Sequence, residues 1–213
     1  MKKSKAETAE THKRIVEVAA QAFKKKGIDA TGVAEVMVAA GLTHGAFYRH
    51  FPSKEALVAE AATVSMDVFV DAAQSAAAKG PSSFLKYLRS YLTSEFRDEE
   101  LGGCPVIQLG SELARVDTAT REGISRGLKQ LIEIAVKTGG ADAGDSAEDD
   151  AIFTISAMIG AITMSRLVDD AKLSERVLDV TKNRLLKPPR KAPDDKLGAP
   201  VKPRKVSANG KSL

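Results

Sequence analysis

The side chains best equipped for chemistry stand in one run of this 213-residue chain, T-H-G-A-F-Y-R-H-F-P-S-K at positions 43–54. They offer hydroxyls, imidazoles, a guanidinium and an ammonium, which are groups that hydrogen-bond and attract anions. The run follows a tight turn, Ala40-Gly41-Leu42, between two short helical patterns. A Gly at such a turn is the helix-turn-helix signature, in which the second helix enters the DNA major groove. His44 and His50 lie six positions apart and point to different faces of a short helix, so they make no metal site. The second chemical centre is Cys104, the single cysteine, directly before Pro105. A helix N-terminus there lowers the thiol pKa and favours thiolate. Cys104 is therefore read as a redox or electrophile sensor, against the alternative of a small buried residue packing the helix start. Its available products are a sulfenate, an adduct or an intermolecular disulfide.

The elements that must position these groups are all helical. Ile15, Val16, Ala19, Ala22 and Phe23 recur at helical spacing over 7–26, and Gly27 stops that helix. Thr31 is the candidate N-cap of a helix over 32–39 that buries Val33, Val36 and Met37. Thr43 opens the second short helix, through His50, with Phe47 turned inward and Phe51 closing the small core. Pro52 ends it, and Ser53 caps a long helix to about Lys79 whose apolar face is read as Leu57, Ala61, Val64, Val68 and Ala72. Further helices are expected from Ser82 or Ser83 through Phe96, over 107–116, 124–136 and 150–168, and over 173–186. The segment 138–149 reads as an acidic loop. From Lys187 the chain is rich in Pro, Lys and Arg with little to bury, and it reads as disordered. No strand alternation and no internal repeat occurs. The expected fold class is all-α, a three-helix head over 1–52, a larger helical bundle over 53–186 and a basic tail over 187–213.

Charge separates along the same divisions. Residues 1–54 hold ten Lys/Arg against five Asp/Glu, residues 55–181 hold 12 against 21, and residues 182–213 hold ten against two. A basic front end on an acidic body fits a polyanion-binding head on a body that does not touch the polyanion. The single cysteine excludes an intramolecular disulfide and suits a reducing compartment. The charged N-terminus lacks a following apolar core, and no apolar run of about 18 residues is apparent, so a cytoplasmic protein without a membrane partner is expected.

The segment from Thr11 to Glu60 carries A-x-x-x-F-x-x-x-G, then A-G-L-T-H-G-A-F-Y-R-H-F, then S-K-E-A-L. It closely resembles the TetR family of bacterial transcriptional regulators. The resemblance covers about residues 8–62, and the helical remainder fits that family in length and helix count but not in motif. It implies a homodimeric, ligand-responsive regulator, most often a repressor of a pseudo-palindromic operator in double-stranded DNA. On that pattern Thr31, Tyr48 and Lys54 match phosphate-holding positions, with His50 beside them. Thr43, His44, Gly45, Ala46 and Arg49 match positions facing base edges or the adjacent backbone. For Tyr48 a place half-buried against the first helix is equally open. The G-C-P segment is similar to that of members which sense electrophiles through the cysteine.

The resemblance also implies an effector pocket for a small molecule, with Phe84, Tyr87, Tyr91, Ile107, Gln108 and Phe153 as lining candidates beside Cys104; for each of the six, plain core is the stronger reading. Ile155, Ile159, Ile162, Leu167, Val177 and Leu178 on the last two helices are the expected dimer interface, where a four-helix bundle could form across a two-fold axis. The alternative makes 150–168 only the central core helix. No cofactor and no metal is expected. A non-specific architectural DNA binder is the competing function. An all-α enzyme stands far behind, because no nucleophile–base pair, metal-ligand spacing or phosphate loop is present.

Overall fold

The computed structural model describes residues 4–98, 103–139 and 145–186, and among these every regular element is helical. Helix α1, Lys5–Lys26, opens on a capping box in which Ser4 and Glu7 serve each other's backbone N–H groups. It ends at Gly27, whose φ of 88° any other residue would adopt only under strain. Helix α2, Val33–Ala39, follows, then a single 3₁₀ segment, His44–Arg49. Gly41, at φ 72°, makes the turn between them. The second short helix was expected to be α-helical. With Thr43 extended and Pro52 close behind, its six residues tighten into i→i+3 bonds, as in Ala46 N–H to Thr43 O at 3.0 Å.

Helix α3, Lys54–Ala78, is capped by Ser53, whose hydroxyl accepts from Ala56 N–H at 3.2 Å. Its buried face is Leu57, Val58, Ala61, Ala62, Ser65, Met66 and Ala73. The expected face therefore turns out rotated, for Val64, Val68 and Ala72 are exposed. Burial follows the partner, which is α7, Thr118–Gly139, packed along much of α3. Gly123 and Gly127 permit that approach: a Cβ at either would overlap Thr63 Oγ1 or Met66 Cγ.

The helix expected through Phe96 is two helices, α4 over Pro81–Tyr91 and α5 over Ser94–Arg97. Thr93 breaks it with an extended backbone and caps α5 by accepting from Phe96 N–H, which lets Leu92 and Phe96 both turn into the core. Helix α6 is Pro105–Leu113, α8 is Asp145–Leu167 and α9 is Ala171–Leu185. Helices α7 and α8 thus take up both ends of the expected acidic loop, of which 140–144 lie outside the described residues, as does the tail from 187. One described helix segment, Ser146–Leu167, is long and apolar enough to cross a membrane by length and composition, at a mean hydropathy of 1.2. This differs from the sequence expectation. The helix reaches that value without a full buried circumference, because α7 and α9 cover one side and leave the other bare.

The apolar core does not close at the end of the head. Ile15, Phe23, Val36, Phe47 and Phe51 share one cluster with Leu57, Met66, Leu109 and Leu113, so α3 and α6 carry the head's core into the bundle. A second cluster joins Leu92, Phe96 and Cys104 to Met158, Ile162 and Leu178.

Candidate nucleic-acid interface and buried cavity

Phe47 fixes the orientation of the 3₁₀ segment. It is 1% exposed and stacks on Phe51 at 5.6 Å, while the ring of His12 covers Phe51 from α1 at 4.4 Å. His12 also reaches Glu60 of α3 at 2.6 Å. Both partners are partly exposed, so the pair contributes at most about 1 kcal/mol. With Phe47 inward, the opposite side of the segment faces solvent. Thr43, His44, Gly45, Tyr48 and Arg49 are exposed and Ala46 is partly so. Thr43 sits at the N-cap position but makes no capping bond. A Cβ on Gly45 would meet nothing, so the backbone there is open to a close-lying surface.

The phosphate candidates divide. Tyr48 is 69% exposed, edge-on to Phe47, which removes the half-buried placement. His50 is half-buried, 6.0 Å from the His12 ring. The Lys54 ammonium, at the start of α3, donates to Ile28 O at 2.6 Å. Thr31 is corrected. It is fully buried, its hydroxyl donates to Gly27 O at 2.7 Å, and Gly32 rather than Thr31 occupies the N-cap of α2. Its hydroxyl locks the α1–α2 turn from inside and presents nothing to a phosphate.

That turn carries a feature with no local sequence signal. Glu112, in the last turn of α6, accepts from the N–H groups of Ile28 at 2.9 Å and Asp29 at 3.1 Å. A residue 84 positions away thus grips the head through its backbone. Only the fold brings them together.

The other end of α6 borders a cavity of about 60 Å³ between α3, α4, α7 and α8. Phe84, Tyr87, Tyr91 and Cys104, four of the effector-pocket candidates, line it. Met66, Phe69, Leu128, Leu131, Ile155 and Ile159 were not expected there, and the last two were assigned to a dimer face. Three pocket candidates are corrected. Phe153 is 64% exposed on the opposite side of α8. Ile107 packs against the second core cluster. Gln108 lies across Gly103, whose φ of 60° brings the backbone beneath it, and its buried Oε1 has no hydrogen-bond partner.

Cys104 does occupy the N-cap position of α6, but its expected thiolate character is overturned. The Tyr91 hydroxyl and the N–H groups of Ile107 and Val106 favour the charged form, yet burial outweighs them and pushes the thiol up. Burial likewise pushes Tyr87 up to about 12 and Tyr91 well above its usual value. The cavity wall stays neutral at neutral pH. Among the described residues no group of three or more His, Cys, Asp or Glu side chains could hold a metal.

Two of the six dimer-face candidates are core residues: Ile162 is 0% and Leu178 3% exposed, and Val177 is partly covered. Leu167 alone of the six is fully outward, at 82%. The bare face of α8 is Ile152, Phe153, Met164 and Leu167, continued by Leu173 and Val180 on α9. The sequence reading missed it because α8 carries apolar side chains on all sides, so periodicity could not say which side was bare.

Residues 15–61, which hold this exposed row and the Phe47–Phe51 core, match the family model for bacterial regulatory proteins, tetR family. The head is similar to that of the TetR family over those residues. The chain is 35% identical over 91 residues to the HTH-type transcriptional regulator AcrR of Shigella flexneri, covering 43% of this chain and 42% of that protein. It is 35% identical over 95 residues to the HTH-type transcriptional regulator YerO of Bacillus subtilis, covering 43% and 33%. The chain thus spans about a third to two-fifths of the length of these curated relatives. The likeness to a TetR transcriptional regulator from Chloroflexus aurantiacus extends further, with 26% identity, a TM-score of 0.66, and coverage of 84% of this chain and 96% of that one. Beyond the matched head, the helical bundle shares that fold.

Proposed function

We propose that this chain is a DNA-binding transcriptional regulator that acts as a homodimer and leaves a pseudo-palindromic operator when a small molecule fills the cavity. The exposed row of Thr43, His44, Gly45, Tyr48 and Arg49, held outward by buried Phe47, carries the reading. A short helix of this make-up offers donors to phosphates and base edges, and the basic front end supplies the sequence-independent attraction. Arg49 suits a guanine edge, and Gly45 allows the backbone to approach the duplex. The bare face over α8 and α9 supports the dimer. One recognition segment per subunit then requires half-sites about one helical turn, roughly 34–36 Å, apart or more. Helix α6 supports the response to ligand, with cavity residues Cys104 and Val106 at one end and Glu112 on the head at the other. The buried neutral thiol favours non-covalent occupancy over Cys104 modification. Repression is the direction expected of a regulator that a ligand removes from DNA.

Selection of duplexes from a random pool, followed by fluorescence anisotropy with the winners, tests the reading. One recovered palindromic motif, bound with two subunits per duplex, is the expected result. Equal binding to every sequence would instead support an architectural protein.

A further inference from the structure

Resting on that regulator reading, we propose that the cavity takes a small, uncharged molecule of about one aromatic ring, and that it rejects charged ligands of the same shape. The wall decides the chemistry. Among the described residues no Asp, Glu, Lys, Arg or His lines the cavity. Its few polar atoms are already engaged: the Tyr87 hydroxyl donates to Phe69 O at 3.3 Å, and the Tyr91 hydroxyl and Cys104 thiol bond each other. An ion entering this space would lose its hydration with no charged side chain among the described lining residues to replace it, a penalty of several kcal/mol per ion. The Arg166 guanidinium, felt by Cys104 and Tyr91 from outside the lining, offsets that penalty only in part for an anion. A neutral apolar molecule meets no such penalty, and an apolar cavity of this kind holds little ordered water to displace.

The size follows from the volume. About 60 Å³ is well below the roughly 150 Å³ of an apolar cavity that admits benzene, so one ring is the upper limit and enters only as the flexible side chains of the wall give way. Phe69, Phe84, Tyr87 and Tyr91 line it, side chains of the type that rings pack against in offset and edge-on contacts. Met66 and Met158 flank it with flexible thioethers that adjust to the outline of a ring.

Toluene, benzoate and benzylammonium share a ring and differ in charge, so calorimetry with the full-length protein in the absence of DNA reads the class directly. Saturable toluene binding below its aqueous solubility is expected, with both ions at least about a hundredfold weaker. Ala135→Phe, which fills the cavity, should abolish toluene binding. Should that variant fail to fold, Leu128→Ala, which enlarges the cavity, should bind butylbenzene more tightly than the wild type does. Absent toluene binding, ions that bind as tightly as toluene, or indifference of affinity to these cavity substitutions would overturn the proposal. Toluene that binds at the cavity without releasing the selected duplex would uphold the ligand class and contradict the regulator reading instead.

Discussion

The ammonium of Lys54 already serves the carbonyl of Ile28 at 2.6 Å, so a phosphate reaching the start of α3 must share a cation that also braces the head. His44, in contrast, stands exposed on the 3₁₀ segment. Lys54→Ala should weaken binding to every duplex and reduce the salt slope by about 1, while His44→Ala should change the sequence recovered from a random pool and leave the slope alone. Identical effects from the two would contradict this division. The cavity groups make a different residue-scale prediction. Tyr87, Tyr91 and Cys104 have their pKa values raised in the folded protein, so above about pH 9 the unfolded chain loses these protons first. The unfolded state then binds fewer protons, and stability must fall as pH rises from about 9 toward 12. Urea midpoints across that range should decline less steeply in Tyr91→Phe; an equal slope would show that Tyr91 titrates alike in both states. The exposed row was legible because type and spacing sufficed to place Phe47 inward and its neighbours outward. Thr31 was not legible: a threonine before a helix reads as a cap, and only the path of the turn shows its hydroxyl aimed inward at Gly27 O.

At the scale of elements, α6 is the connection between cavity and head. Its nine residues run from the cavity wall to Glu112, which holds two backbone N–H groups of the α1–α2 turn. Glu112→Ala leaves both donors without that partner, a loss of about 1–3 kcal/mol in stability to urea for a part-buried group. Glu112→Gln, which can still accept, should lose less and retain more of the ligand response. Equal stability of Glu112→Ala and the wild type would remove α6 from this role. Helix boundaries set by Gly27, Gly41, Pro52 and Ser53 could be read from sequence, since each stop or cap is local chemistry. The face of α3 could not, because Ala and Val surround it and only the close approach of α7 at Gly123 and Gly127 selects the side that is buried. Thr93 was missed for a related reason, as its cap on Phe96 N–H interrupts a pattern whose spacing still looks continuous.

For the whole molecule, the proposed dimer places a second copy on the bare apolar side of α8 and α9. Sedimentation at micromolar concentration should give twice the chain mass, and Phe153→Glu with Leu167→Glu should give one chain mass with helicity unchanged, since both side chains are outward. A monomeric wild type, or a variant that stays dimeric, would contradict the assignment. The sequence announced a helical body but not its assembly, because burial within one chain and burial between two chains leave the same apolar letters. The most direct measurement is a footprint of the protein on a duplex that carries the selected motif. Two protected half-sites centred about one helical turn (roughly 34–36 Å) or more apart, lost in a His44→Ala, Arg49→Ala variant that remains folded, are the predicted result. Uniform protection along the duplex, or the same footprint from that variant, would contradict it.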